Sequence, residues 1–139
     1  MYLLKTAATF DSAHFLSGYN GKCANIHGHT WKLEVAISSQ ELKETGEKRG
    51  MIIDFSDLKK AVRELASRFD HTLIYEKGSL KDGTVAALSS EGFTLTEVPF
   101  RPTAENFAEH FYRSLAESLP VKSVSVYETP DNCAVYEED

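Results

Sequence analysis

The sequence has few cysteines, no long apolar run and no excess of basic residues. Only Cys23 and Cys133 occur among 139 residues, too few for a disulfide framework, and we expect both thiols to be reduced. A membrane-spanning helix needs about 20 consecutive apolar residues, and no such run is present. Lys5 interrupts the short apolar N-terminus, so we expect no secretion signal and a cytoplasmic protein.

The net charge of the chain bears on which classes of partner it can bind. The chain carries 15 Lys and Arg against 21 Asp and Glu, for a net charge of −6. Nucleic-acid binding without sequence preference depends on Lys and Arg that neutralise phosphates, so we expect neither nucleic acid nor a membrane as a partner. The hydrophobic content of 42% and charged content of 26% are ordinary for a globular chain. We expect a single domain over residues 1–139.

Two alternating segments open the chain and predict an antiparallel hairpin. The even positions from Tyr2 to His14 form one face of a first strand, and the odd positions from His27 to Ile37 form one face of a second strand. The connection between them is too short for a crossover helix, so the two strands should pair directly.

Two helices and two further strands are predicted beyond the hairpin. Residues 58–69 have helical apolar spacing after a possible cap at Asp54 or Ser56, and residues 104–119 have it after Thr103. Residues 121–129 and 133–137 are typical of strands around a turn. Residues 76–101 are harder to interpret and contain one possible strand at 94–98. The predicted fold is α+β, a four-stranded antiparallel sheet with two helices on one face.

Three histidines predict a metal site. Positions i and i+2 on a strand share a face, so His27 and His29 can converge, and His14 comes from the neighbouring strand. Three imidazoles with an open fourth position are typical of a catalytic zinc site. Ordinary half-buried histidines are the simpler alternative. A second alternative makes Cys23 a fourth ligand, which would close the site.

Several other residues are candidates for chemistry. A thiolate at Cys23 would be favoured by the adjacent Lys22 and by a nearby metal, although a lone cysteine is usually a small core residue. Asp70 can orient the imidazole of His71 for proton transfer, although the pair also suits a charged helix end. Glu128 ends an otherwise apolar strand face, and such a carboxylate suits a substrate with two adjacent N–H groups.

The start of the second helix holds two weaker candidates. Free backbone N–H groups there favour a capping role for Thr103, and Glu105 follows in the first turn. His110 lies within the same helix, and we assign it no functional role.

Taken together, these motifs resemble the 6-pyruvoyltetrahydropterin synthase family, and within it the bacterial branch of the queuosine pathway. The resemblance covers nearly the whole chain except residues 76–101. Its motifs are Phe10-Asp11-Ser12-Ala13-His14-Phe15, Cys23-Ala24-Asn25-Ile26-His27-Gly28-His29, Ile53-Asp54-Phe55, residues 65–71, Pro102-Thr103-Ala104-Glu105-Asn106 and Tyr127-Glu128-Thr129.

The resemblance implies a T-fold whose subunits assemble into a barrel, as a homo-oligomer (trimer or hexamer) with sites between subunits. It implies roles for the candidate residues: zinc ligands His14, His27 and His29, a general base at Cys23, proton-relay partners Asp70 and His71, and a pterin anchor at Glu128 with Thr103 and Glu105 nearby. The anchor and the zinc can then belong to different protomers. The segment 76–101 is expected to reshape the pocket rim or an interface, and Ala104 replaces a threonine found in some relatives.

The implied reaction converts 7,8-dihydroneopterin triphosphate into 6-carboxy-5,6,7,8-tetrahydropterin, acetaldehyde and triphosphate. Triphosphate elimination alone, which gives 6-pyruvoyltetrahydropterin, is the alternative within the family, and an aldolase-like side activity is less favoured. Outside it, a zinc hydrolase using metal-bound water or a non-catalytic binding module remains open. A polyanionic substrate requires a local cationic cluster, and Lys22, Lys32 and Arg101 are candidates from sequence neighbourhood.

Overall fold

A long antiparallel hairpin forms the centre of the molecule. The computed structural model describes all 139 residues. Strand β1 (Tyr2–His14) pairs with β2 (His27–Ser39) along its whole length, from Tyr2 opposite Ser39 to His14 opposite His27. A single turn of 3-10 helix at Lys22–Ala24 lies in the connection. The hairpin prediction is confirmed.

Two amphipathic helices cover one face of this sheet, as predicted. Helix α1 (Phe55–Ser67) is capped by the Asp54 carboxylate, which accepts from the Ser56 N–H at 2.8 Å. A later helix, Ala104–Ala116, is capped by the Thr103 hydroxyl, which accepts from the Asn106 N–H at 3.1 Å. No helix is long and apolar enough to cross a membrane.

The sheet has six strands rather than the predicted four. The expected second hairpin is present, with strands Val121–Thr129 and Asn132–Glu137 beside β2. Two additional strands, β3 (Thr72–Glu76) and β4 (Leu95–Val98), run parallel to β1 at the opposite edge. Helix α2 (Asp82–Ser90) connects them. With the Ala104–Ala116 helix as α3 and the last strands as β5 and β6, the sheet order is β4-β3-β1-β2-β5-β6.

The parts that the sequence prediction missed are short or weakly patterned. Strand β3 has only five residues and follows Asp70-His71 with no turn signal between them. Helix α2 buries no residue, so it does not need the apolar stripe by which a helix is recognised in a sequence. The strand expected at 94–98 is confirmed as β4.

The core lies between the sheet and helices α1 and α3. Phe10 of β1 stacks on Trp31 of β2 with ring centroids 5.9 Å apart, and both rings contact Phe107 of α3 edge-on. The inward rows of β1 and β2 continue beyond these aromatic residues to the histidines, so the packed core fixes the end of the hairpin. The opposite face of the sheet, here the outer face, carries Thr9, Lys32 and Tyr127 side by side.

Candidate metal centre and active site

The three predicted histidine ligands meet at the end of the β1–β2 hairpin. His14 lies opposite His27, and Ser12 lies opposite His29, so the rings come from adjacent positions on one sheet face. Nε2 of His14 is 3.1 Å from Nε2 of His27, and the ring centroids of His27 and His29 are 5.0 Å apart. The spacing and strand pairing therefore place three nitrogen donors together.

The Glu128 carboxylate adds a fourth possible metal-binding atom to the three imidazole nitrogens. Its Oε1 lies 3.3 Å from Nε2 of His14 and 3.4 Å from Nε2 of His29. The four donor atoms all lie within 4.8 Å of one another. Glu128 belongs to the same chain as the histidines, so this grouping needs no second protomer. From the sequence, Glu128 was expected to serve catalysis and substrate binding but not the metal. Its place on β5, the strand that pairs with β2, was the available signal.

Hydrogen bonds to backbone carbonyls fix the tautomers of two rings. Nδ1 of His14 contacts the Pro102 carbonyl at 2.8 Å, and Nδ1 of His27 contacts the Asn25 carbonyl at 2.7 Å. A carbonyl only accepts, so each Nδ1 carries the proton and each Nε2 of a neutral ring presents a lone pair. Such partners on the second nitrogen are usual for metal-ligating histidines.

Burial keeps these rings in the uncharged form that binds metals. Burial is the main reason that the pKa of His14 falls from 6.5 to about 4; the hydrogen bond to the Pro102 carbonyl opposes this shift, and the charges of His27 and His29 add to it. Burial also lowers the pKa of His29, against the opposing effect of the Glu128 charge. Nε2 of His29 is buried and has no hydrogen-bond partner, because its 3.4 Å contact with Glu128 lacks hydrogen-bond geometry. A metal ion would satisfy this nitrogen.

The spacing of the ligand atoms is compatible with one shared metal ion. A tetrahedral ion bound at about 2.0–2.1 Å places its ligand atoms about 3.3–3.4 Å apart. Three of the six separations in the group, at 3.1, 3.3 and 3.4 Å, lie close to this value, and all six lie within 4.8 Å. The residues present therefore fit a divalent metal held by nitrogen and oxygen donors.

Cys23 lies outside this group of donors. It occupies the 3-10 turn before β2, is partly buried and is a free thiol. Its carbonyl accepts the Leu16 N–H at 2.9 Å, which ties the turn to the end of β1. The sulfur is not among the clustered ligand atoms. The alternative that makes Cys23 a fourth ligand is therefore not supported, because the carboxylate near the three histidines is that of Glu128.

Asp70 and His71 form a hydrogen-bonded pair held against β1. Nδ1 of His71 donates to Oδ2 of Asp70 at 2.8 Å, and Oδ1 of Asp70 accepts the Asp11 N–H at 2.8 Å. The His71 N–H donates to the Asp11 carbonyl at 2.6 Å, and His71 has a left-handed φ of 58°. These contacts on both sides of Asp11 hold a backbone conformation that is uncommon outside glycine.

The pairing shifts both pKa values in favour of the ion pair. The Asp11 N–H and the His71 hydrogen bond lower the pKa of Asp70. The hydrogen bond from Asp70 and its charge raise the pKa of His71. The His71 side chain is 79% exposed, so its imidazole is accessible to a ligand in the adjoining cleft.

Two clefts flank the histidine group. A cleft of about 710 Å³ is lined by both His29 and His71, and Leu88, Phe93 and Leu95 from the 76–101 segment form an apolar part of its wall. Residues of the segment thus line this cleft, and a role at an interface stays a prediction. A second cleft of about 440 Å³ contains His29 and Glu128. His29 lines both clefts, which places the candidate metal position between them.

Comparisons with known proteins match this architecture. The sequence pattern of the 6-pyruvoyl tetrahydropterin synthase family covers residues 3–139. This chain belongs to that family. The 6-carboxy-5,6,7,8-tetrahydropterin synthase of Haemophilus influenzae is 39% identical to this family member over 142 residues, covering 99% of this chain and 100% of the relative.

Solved structures show the same fold. An uncharacterized protein from Wolinella succinogenes matches with a TM-score of 0.83 at 20% identity, covering 99% of this chain and 98% of the other. The 6-pyruvoyl tetrahydropterin synthase of Caenorhabditis elegans matches with a TM-score of 0.68 at 22% identity, covering 99% and 96% of the two chains. The predicted T-fold is confirmed.

In this synthase-family chain, the remaining candidates lie at the start of α3. The Thr103 hydroxyl is used as the helix cap. Glu105 is exposed, and its carboxylate forms no hydrogen bond or ion pair. Neither residue lines the two clefts beside the histidines, and their substrate roles stay predictions. His110 packs against the rings of Phe69 and Phe100, in line with a structural role.

Proposed function

We propose that this chain is a zinc-dependent lyase of queuosine biosynthesis. It would convert 7,8-dihydroneopterin triphosphate and water into 6-carboxy-5,6,7,8-tetrahydropterin, acetaldehyde and triphosphate. The observation that carries the proposal is the convergence of three histidine nitrogens beside a cleft that both His29 and His71 line. The identity of 39% to a relative named for this product supports the choice of branch within the family.

The residues around the donor group support zinc as the metal. His14, His27 and His29 would hold it, since neutral imidazoles with hydrogen-bonded Nδ1 atoms are ordinary zinc ligands. When bound, the zinc would supply Lewis-acid polarisation of oxygens on the substrate side chain.

Proton transfer would use groups on the chain outside the donor set. Cys23, a free and partly buried thiol on the turn before β2, would remove a proton from a carbon of the substrate side chain. His71 would return a proton from its imidazolium, because Asp70 raises its pKa and orients its ring through Nδ1. A general acid or base of this kind contributes roughly 10²- to 10⁴-fold to the rate.

Glu128 would orient the pterin ring. Its Oε1 faces His14 and His29, whereas its Oε2 has no partner within the chain. The side chain is 34% exposed to the neighbouring cleft. A carboxylate in this position can accept from the 2-amino group and the adjacent ring N–H, and such paired, charge-assisted bonds fix the plane of a ligand.

Product analysis tests the proposal. The purified full chain, supplied with zinc, is incubated with 7,8-dihydroneopterin triphosphate, and the products are followed by mass spectrometry. We expect 6-carboxy-5,6,7,8-tetrahydropterin and acetaldehyde in equal amounts. Formation of 6-pyruvoyltetrahydropterin without acetaldehyde would support triphosphate elimination alone, and glycolaldehyde would support the aldolase-like activity. An unchanged substrate would contradict catalysis of any of these kinds.

A cysteine substitution separates the thiol mechanism from attack by metal-bound water. We expect Cys23→Ala to lower kcat by roughly 10²-fold or more while the metal content is retained, because the sulfur lies outside the donor group. Cys133→Ala is the matched control, since Cys133 is an exposed free thiol on β6. Full activity of Cys23→Ala with bound metal would favour a zinc hydrolase.

We also propose that the chain functions as a homo-oligomer, a trimer or hexamer with sites near subunit contacts. Strand β6 has a free outer edge, and β1 pairs with β3 only over Ser12–His14, so most of its second edge is free as well. Unpaired edges favour pairing with another chain. The exposed apolar side chains of Tyr2 and Leu3 lie at the start of that edge. Light scattering after size-exclusion chromatography tests the assembly, and a monomer at micromolar concentration would contradict it.

A further inference from the structure

Two loops beside the candidate metal centre are joined by the side chain of Arg101. The first loop, residues 15–26, connects β1 to β2 and carries Cys23 on its 3-10 turn. The second loop, residues 99–103, connects β4 to α3. Nη2 of Arg101 donates from the second loop to the Ser17 carbonyl of the first loop at 3.0 Å. The placement of the first loop therefore depends on a side chain that lies far from it in the sequence.

The ring of Tyr19 connects this guanidinium to the turn. The guanidinium of Arg101 lies 5.7 Å from the centre of the Tyr19 ring, which is a cation–π contact. A Cβ added to Gly21 would lie only 2.8 Å from Cε1 of the same ring, so glycine is needed for the ring to lie this close to the backbone. The Gly21 carbonyl accepts the Ala24 N–H at 3.1 Å at the start of the 3-10 turn. The ring thus contacts both the guanidinium and the backbone from which the turn with Cys23 begins.

The backbone of the second loop is held separately from the Arg101 side chain. The Arg101 carbonyl accepts Nδ2–H of Asn106 at 3.0 Å and the Thr103 N–H at 2.7 Å. The next carbonyl, that of Pro102, contacts Nδ1 of His14 at 2.8 Å. Loss of the Arg101 side chain should therefore leave the orientation of His14 in place while it releases the first loop.

The guanidinium of Arg101 is engaged within the chain rather than by an acidic group. The ion pairs of Lys and Arg side chains involve Lys48 and Arg113, not Arg101. Nε of Arg101 is buried and has no hydrogen-bond partner, so this side of the guanidinium is enclosed by protein. Arg101 was considered from the sequence for a cationic cluster, whereas its contacts are with a carbonyl and an aromatic ring.

We propose that Arg101 and Tyr19 are positioning residues that hold the turn carrying Cys23 beside the metal centre. The catalytic consequence rests on the proposed function, in which Cys23 removes a substrate proton, whereas the hold on the turn rests on contacts within the chain. The Leu16 N–H bond to the Cys23 carbonyl, at 2.9 Å, fixes the turn to the end of β1. The Arg101–Tyr19 pair fixes it to the loop before α3. A displacement of about 1 Å at a reacting group can lower a rate about 10²-fold.

Alkylation of the Cys23 thiol tests the hold on the turn without any substrate. All proteins carry Cys133→Ala, which leaves Cys23 as the single thiol, and the rate of reaction with iodoacetamide is measured on the zinc-loaded chain. We expect Arg101→Met to raise this rate about tenfold, because loss of one hydrogen bond and one cation–π contact lets the turn open more often. An unchanged rate in Arg101→Met would overturn the proposal.

Variants of Tyr19 test the second member of the pair. We expect Tyr19→Leu to raise the alkylation rate of Cys23 severalfold, because it removes the ring that the guanidinium contacts. Tyr19→Phe keeps the ring and should restore the slow rate of the unaltered chain. Equal rates for Tyr19→Leu and Tyr19→Phe would show that the ring does not hold the turn.

Arg113→Met is the matched control for loss of an arginine over a tyrosine ring. The guanidinium of Arg113 lies 5.8 Å from the centre of the Tyr136 ring, between α3 and β6 rather than at the β1–β2 loop. We expect the alkylation rate of Cys23 and the kcat to be unchanged in this variant. An equal rise in Cys23 alkylation in Arg101→Met and Arg113→Met would indicate a general loosening of the fold and would overturn the proposal.

Steady-state kinetics separates the positioning of Cys23 from the binding of ligands. We expect Arg101→Met to lower kcat at least about tenfold, with changes of less than about threefold in KM and in zinc affinity, because the backbone that supports His14 keeps its own hydrogen bonds. A rise in KM or a loss of zinc affinity as large as the loss of kcat would assign Arg101 to ligand binding and overturn the positioning role.

The outcomes also separate this proposal from the proposed function. Faster alkylation of Cys23 in Arg101→Met, in a chain whose unaltered form leaves 7,8-dihydroneopterin triphosphate unconverted, would contradict the lyase function and support the hold on the turn. An unchanged kcat in Arg101→Met, with acetaldehyde formed normally, would support the lyase function and overturn the positioning role.

Discussion

Nε2 of His14 lies 3.1 Å from Nε2 of His27, across the last residue pair of the β1–β2 hairpin. Because both Nδ1 atoms face backbone carbonyls, neither Nε2 carries a proton when the rings are neutral. The two Nε2 lone pairs repel each other at this distance. A cation between them removes this repulsion, because each nitrogen is then attracted to the cation. The hairpin register and the packed core hold this arrangement, so metal affinity should depend on the fold as well as on the ligands.

Loss of one imidazole should sharply reduce metal binding. We expect His29→Ala to weaken zinc affinity by more than the roughly 10- to 100-fold that loss of an outer hydrogen-bond partner costs, because its Nε2 is buried in the donor group. His110→Ala is the control, since burial lowers the pKa of His110 as well but its ring packs on Phe69 away from the site. Competition with a chromophoric chelator measures the zinc affinity of each variant. Equal zinc affinities of the two variants would contradict the assignment of His29 as a metal ligand.

The metal group was largely predictable from local sequence because strand geometry is periodic. His27 and His29 share a face at any register, and the short connection made His14 their neighbour. The role of Glu128 in this group was not predictable in the same way. It depends on the long-range register of β5 against β2, whose paired residues end at Lys32 and Tyr127, and on the irregularity between Tyr127 and Thr129 in the pairing of β5 with β6.

The stability of the metal-free protein should depend on pH through His14. Its pKa is about 4 in the folded chain and 6.5 as the ordinary value. Between these pH values the unfolded chain binds a proton that the folded chain does not, so the free energy of unfolding falls as the pH is lowered from 6.5 to 4. The loss should be about 3 kcal/mol.

Urea denaturation at several pH values measures this effect. The variant His14→Gln removes the titrating ring and should lose most of the slope over the same interval, which makes it the internal control. A slope equal to that of the unaltered chain would show that other groups cause the pH dependence.

The edge of the sheet near Asp70 shows the limit of sequence reasoning. The spacing of apolar residues predicted α1, but nothing local indicated that the chain would continue as a parallel strand beside β1. That pairing brings the Asp70 carboxylate to the Asp11 N–H at 2.8 Å. Long-range pairing of a five-residue strand is decided by tertiary contacts rather than by its own composition.

Asp70 should set the alkaline limit of activity through His71. Asp70 raises the pKa of His71, so the protonated imidazole persists to higher pH and activity that needs a general acid falls only above that raised value. Asp70→Asn keeps an oxygen for the Asp11 N–H but removes the charge. We expect the alkaline limb of the kcat profile to move to lower pH, with kcat reduced. Asp82→Asn, an exposed change in α2, should leave the profile in place, and an unmoved limb in Asp70→Asn would contradict the role of His71 as the acid.

A substitution at Glu128 can distinguish a role in metal binding from a role in substrate binding. Glu128→Gln replaces one oxygen by an N–H donor that cannot accept from the pterin, and it removes the negative charge beside the histidines. We expect KM to rise about 100-fold, the equivalent of losing a charged, paired hydrogen bond, whereas zinc affinity should fall less than tenfold because three imidazoles remain.

The two quantities are measured separately, by steady-state kinetics at saturating zinc and by chelator competition without substrate. Glu137→Gln on the exposed side of β6 is the matched control for charge. The reverse pattern, a large loss of zinc affinity with an unchanged KM once zinc is restored, would make Glu128 a permanent metal ligand. The position now assigned to a substrate oxygen would then be closed, and the pterin would require a different anchor.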